Sequence, residues 1–60
     1  MFTRCFERTT NRGYEVLNIS EYGFEIYINN HLEKSGLVEP GTLDEIIQTL
    51  IEDEGWAEVE

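Results

Sequence analysis

The sequence has one cysteine, one proline and few bases among its 60 residues, and it has no long apolar run. Each scarcity closes off a class of protein. A lone Cys5 cannot form an internal disulfide, so the staple of small secreted domains is missing and a reducing compartment is expected. No Cys/His cluster is available to hold a structural zinc. Apolar runs such as Val16-Leu17 and Ile46-Ile47 fall far short of the ~20 residues of a membrane span. The opening Met1-Phe2-Thr3-Arg4-Cys5-Phe6-Glu7 lacks the apolar core of a signal peptide. A cytoplasmic location without membrane attachment is the expectation.

The shortage of bases is the sharpest. Four Lys and Arg stand against thirteen Asp and Glu, a net charge of −9. Phosphate repels such a chain, so direct nucleic-acid binding is not expected. The five glycines are scattered singly and form no phosphate cradle. Cys5 and His31 each occur once and have no evident third group to orient them, so no nucleophile–base pair is read and no enzyme is expected. Glu52-Asp53-Glu54-Gly55 is a run of acids, not a calcium loop. Neither a metal site nor a cofactor is expected.

Seven aromatic residues and a regular apolar pattern argue for a folded chain. Residues 1–60 have room for a single domain with one thin core. Residues 2–9 alternate, with Phe2, Arg4, Phe6 and Arg8 on one face, and read as a strand. Thr10-Asn11-Arg12-Gly13 is a turn. Residues 14–20 place Leu17 and Ile19 on one face, with Tyr14 and Val16 on the other. After a turn at Glu21-Tyr22-Gly23, residues 24–28 alternate cleanly, with Phe24, Ile26 and Ile28 inward.

Asn29-Asn30 admits two conformations. As a type I′ turn it starts a hairpin returning through residues 31–35, which sets Glu25 opposite Lys34 and Tyr27 opposite Leu32. As an N-cap it starts a one-turn helix ending at Gly36. The hairpin is preferred. Pro40-Gly41 punctuates the following loop.

Thr42-Leu43-Asp44-Glu45 fits a capping box, with Thr42 as N-cap and Glu45 reaching back. Leu43, Ile46, Ile47, Leu50 and Ile51 then mark one helical face. Gly55 is a natural C′ residue. Residues 56–59 fit an edge strand or a tail that folds Trp56 onto the core. The expected fold is α+β: an antiparallel meander of three or four strands with one amphipathic helix packed on a face.

Charge polarity is the feature that bears on function. Residues 35–60 carry eight acids and no base. Asp44 and Glu45 suit a helix N-terminus, but Glu52, Asp53 and Glu54 sit at the electronegative end, where acids are unfavourable. A solvated acidic face that keeps a small domain soluble is one reading of this charge, and an acidic surface that steers toward a basic partner, which also accounts for these three, is the other.

The stretch Gly23-Phe24-Glu25-Ile26-Tyr27-Ile28, the spacing of Gly36 and Pro40 before the acidic helix, and the closing Gly55-Trp56 resemble the small acidic anti-CRISPR proteins encoded by phages. The resemblance implies an inhibitor that blocks a nucleic-acid-binding site of a host defence complex by setting carboxylates where phosphates would sit. The expected contact residues are Asp44, Glu45, Glu52, Asp53, Glu54, Tyr27 and Trp56, and the expected partner is a protein with a basic surface. A small adaptor that binds through an edge strand or an aromatic patch is the alternative. The aromatic content and the open edges of a meander also point to a homodimer.

Overall fold

The computed structural model describes residues 3–59. Phe2, which the alternation places on the inner face of the first strand, lies outside them. Four strands follow one another in the chain: β1 (Arg4–Thr10), β2 (Gly13–Ile19), β3 (Gly23–Ile28) and β4 (His31–Leu37). The helix α1 (Leu43–Glu52) and a short strand β5 (Ala57–Val59) complete the fold. The result is one antiparallel five-stranded sheet, ordered β4-β3-β2-β1-β5, and one helix. The expected meander is present, and β5 adds a fifth strand outside β1.

Strand parity sorts the side chains as the alternation requires. Phe6 pairs with Leu17, which pairs with Ile26, so Phe6, Leu17, Ile19, Phe24 and Ile26 share one face. Phe6, Leu17 and Ile19 form one buried cluster with Val38, Ile47 of the helix and Trp56. The opposite face carries Tyr14, Val16, Tyr27 and Leu32, and no helix of the fold contributes to it.

Asn29 and Asn30 take φ of +50° and +70°, the type I′ geometry, which decides for the hairpin over the one-turn helix. Asn29 also ties this turn to the first one. Its Oδ1 accepts the Tyr14 amide at 3.1 Å, and its Nδ2 donates to the Arg12 carbonyl at 3.4 Å. At Gly13, whose φ is +124°, a Cβ would lie 2.5 Å from the Asn29 side chain, so only glycine leaves room for that amide.

The register of the second hairpin departs from expectation. Tyr27 faces Leu32, but a bulge then sets Glu25 against Ser35 and Ile26 against Lys34. The reason lies in Phe24, whose ring covers Gly36: a Cβ there would come within 2.7 Å of Phe24 Cε1. Without the bulge Ser35 would stand opposite Phe24, and its Cβ would meet the ring.

Around the helix two details differ from the sequence reading. Thr42 makes no side-chain cap; its hydroxyl instead donates to the Glu39 carbonyl at 2.6 Å. The Thr42 amide bonds the same carbonyl at 3.2 Å, closing a turn in which Pro40 precedes Gly41 at φ +84°. The hydroxyl is thus committed to the turn rather than to the helix. At the other end Asp53 is the C-cap, so Gly55 (φ +75°) comes one residue later than C′. It turns the chain so that the Trp56 amide reaches the Leu50 carbonyl at 3.0 Å. Trp56 enters the core and Ala57–Val59 pairs with β1, so both sequence alternatives for this segment are realised.

Candidate interaction surface

The pairing of the bases decides what charge remains outside. Glu15 is on the core face of β2 and only 1% exposed. Its carboxylate accepts Arg8 Nε at 3.0 Å and the Thr10 hydroxyl at 2.6 Å, and Arg12 Nε stands at 3.4 Å. The Thr10 hydrogen bond, ahead of the Arg8 guanidinium, holds the Glu15 carboxyl below the usual glutamate range against the opposing effect of burial.

Arg8 has two further contacts. Its guanidinium lies 4.3 Å from the centre of the Trp56 ring and donates to the Glu54 carbonyl at 2.5 Å. A cation therefore sits at the C-terminal end of α1 after all, supplied by β1 rather than by the helix's own sequence. At the far end of β1, Arg4 forms a two-pronged pair with Glu58 of β5, which lowers the Glu58 pKa.

Three of the four bases are thus engaged by Glu15 and Glu58. Of the twelve carboxylates among residues 3–59, the other ten are in no ion pair among the described residues. Glu7 is one of them. It accepts the Tyr14 hydroxyl at 2.6 Å, which raises the tyrosine's pKa. Asp44, Glu45, Glu52, Asp53 and Glu54 are all exposed on the helix and its C-terminal extension.

The two aromatic residues expected to join these acids at a contact do not. Trp56 is 5% exposed and belongs to the core under Arg8, so its indole offers no surface to a partner. Tyr27 is half-buried on the opposite face of the sheet, in a cross-strand row with Val16 and Leu32. Cys5 on β1 and His31 on β4 are three strand spacings apart across the sheet, about 14 Å, and three residues out of register along it. Among the described residues no three His, Cys, Asp or Glu side chains are grouped to hold a metal ion, and no helix is long and apolar enough to cross a membrane.

Sequence reasoning missed Glu15 as a structural residue, although a signal was available. Glu15 has the parity of Leu17 and Ile19, so any strand that buries those two must also turn Glu15 inward.

Between α1 and the β3 side of the sheet lies an apolar groove of about 450 Å³, lined by Leu17, Ile19, Phe24, Ile26, Ile46 and Leu50 among others. Compared with known protein families, with curated proteins and with solved structures, the chain matches none.

Proposed function

We propose that the protein is a non-enzymatic interaction module that presents carboxylates to a basic protein surface, occupying a site that otherwise receives nucleic-acid phosphates. The observation that carries this reading is the pairing pattern. The fold engages Arg4, Arg8 and Arg12 with its own carboxylates and leaves ten acids unpaired among the described residues. The helix docks through Ile47 on the face with Phe6 and Leu17, which turns Glu45 and Glu52 to solvent, and Asp44 is exposed at the helix start. Glu45 and Glu52 then share nearly one azimuth, about 10 Å apart along the axis. A field of this kind raises association rates and is screened by salt.

The test replaces Glu52, Asp53 and Glu54 by Gln, Asn and Gln, which keeps shape and removes three charges. Proteins retained by the wild type from lysate at low salt should bind nucleic acid, be displaced by duplex DNA, and be lost by the triple variant. Retention that ignores salt and survives neutralisation would refute the proposal.

A second reading has its own observation. Every residue of the edge strand β4 is exposed, and Leu32 and Leu37 project from it at 53% and 92% exposure. An adaptor that pairs with a partner strand would use this edge. Under that reading Leu32→Lys and Tyr27→Ala are the damaging changes. A second copy is another occupant of the edge. The bulge and Lys34 both oppose continuation of the sheet there, and light scattering reads the outcome.

A further inference from the structure

One face of the sheet is only half covered. Four strand spacings make a five-stranded sheet about 19 Å wide, and a helix with its side chains covers about 10 Å. Ile47 of α1 joins Phe6 and Leu17 of β1 and β2, and Arg8 of β1 holds the helix end, so the helix belongs to that half. On β3, Phe24, Ile26 and Ile28 face the same way and are only partly buried. The groove between them and α1 has Phe24 and Ile26 in its floor and Ile46 and Leu50 in its wall.

Carboxylates edge both sides of the groove. At 100° per residue, Asp53, Glu45 and Glu52 lie beyond Ile46 on the side away from Ile47, and all three are exposed. Carboxylates therefore edge the helix side. The other lip is Leu37 at the end of β4 and the connection to α1 through Val38, Glu39 and Thr42, so Glu39 adds an exposed carboxylate there, while Lys34, opposite Ile26, stands outside the lining.

We propose that this groove is the docking site for a basic amphipathic helix of a partner protein, laid alongside α1. The uncovered strip is about one helix diameter wide, which matches the 8–10 Å spacing of packed helices. The partner's apolar stripe covers Phe24, Ile26, Ile46 and Leu50, and its basic flank meets Glu45, Glu52 and Asp53. A second copy of this chain is a poor occupant, since it brings another −9 to an acidic lip. The proposal rests on the charge reading above and adds to it the form of the partner and the place where it binds.

The test uses the isotope-labelled full chain and three synthetic peptides of about fifteen residues. One is a Leu/Lys amphipathic helix. The second has Glu in place of Lys, and the third has the Leu/Lys composition scrambled so that no apolar stripe forms. The amphipathic basic peptide should shift the resonances of Ile26, Ile46 and Leu50 and bind about tenfold tighter than either control. Ile26→Ser, with an unchanged circular dichroism spectrum, should weaken it about tenfold. Glu45→Gln with Glu52→Gln should weaken it about fivefold at low salt.

Equal binding by the scrambled peptide, with shifts confined to the outer acids, would leave the charge reading standing and remove the groove. Equal binding by the acidic peptide within the groove would remove the basic helix. Binding by neither basic peptide would remove both the charge reading and this proposal. Groove shifts that depend on protein concentration alone would assign the groove to a second copy and overturn it. The shift map on the wild type decides among these outcomes even if the Ile26 variant fails to fold.

Discussion

Replacing Glu15 by Gln removes one charge from the most enclosed ionic contact of the fold and barely alters volume. The carboxylate takes bonds from Arg8 at 3.0 Å and Thr10 at 2.6 Å, with Arg12 at 3.4 Å. A glutamine amide can keep its oxygen on Arg8 and donate its NH₂ to the Thr10 hydroxyl oxygen, so the hydrogen bonds can survive while the charge that faces Arg8 and Arg12 is lost. Breaking a fully buried pair costs about 3–5 kcal/mol. The side chains of Arg8 and Arg12 are 23% and 62% exposed, so water meets part of their need. A cost of about 2–3 kcal/mol follows. A chain of this length has roughly 3–9 kcal/mol in total, so the melting temperature should fall by roughly 8–24 °C.

The pH profile supplies a second signature. The folded Glu15 carboxyl titrates below its unfolded value, so its contribution is present above about pH 4.3 and is lost as pH falls through the folded pKa. Wild-type melting should decline in that acid range, and Glu15→Gln should lack part of the decline. Glu58, also lowered, contributes the same sign. Thermal unfolding by circular dichroism between about pH 3 and 7 measures both effects. A Glu15→Gln variant that melts within about 3 °C of wild type at neutral pH would refute the claim that this cluster clamps β1, β2 and Trp56 together.

Other changes test other parts of the fold. Asn29→Ala removes two hydrogen bonds that tie the hairpins together and should cost about 1–2 kcal/mol in urea unfolding. Asn30→Gly, at φ +70°, relieves a left-handed conformation and should stabilise by up to about 1 kcal/mol in the same assay. Gly36→Ala places a methyl group against the Phe24 ring and should cost about 1–3 kcal/mol; a double-mutant cycle with Phe24→Ala should recover most of it. Ile47→Asp sets an unpaired charge in the core and should abolish cooperative melting.

The legible parts of the fold are those set by near neighbours. Phe24, Ile26 and Ile28 announce their face by parity alone. Asn29-Asn30 marks its turn because few other residues tolerate positive φ. The α1 stripe is equally plain, although only Ile47 is buried and Ile51 remains 46% exposed. What escaped the sequence depends on distant partners. Arg8 meets Trp56 across 48 positions, and nothing near either residue signals the stack. The β3–β4 bulge follows from the fit of one phenyl ring over one glycine, a steric detail that no periodicity encodes. The acids at the helix C-terminus read as uncompensated because their cation comes from β1. Of the expected surface, all five acids are exposed, whereas Trp56 lies in the core and Tyr27 is half-buried on the opposite face of the sheet, because alternation does not say which aromatic residues a core absorbs.

The pairing of β5 with β1 has a topological consequence. Cys5 stands opposite Val59, about 5 Å away, so the backbone enters and leaves the sheet at neighbouring points. The backbone is in effect a ring with one short gap. A few glycines joining residues 3 and 59 directly would close it, and new ends could be cut at the exposed Asn11-Arg12 turn while keeping all five strands in order. The same geometry lets the unit be spliced into a surface loop of another protein. Its entry and exit points coincide, so the host backbone need hardly spread to accept it.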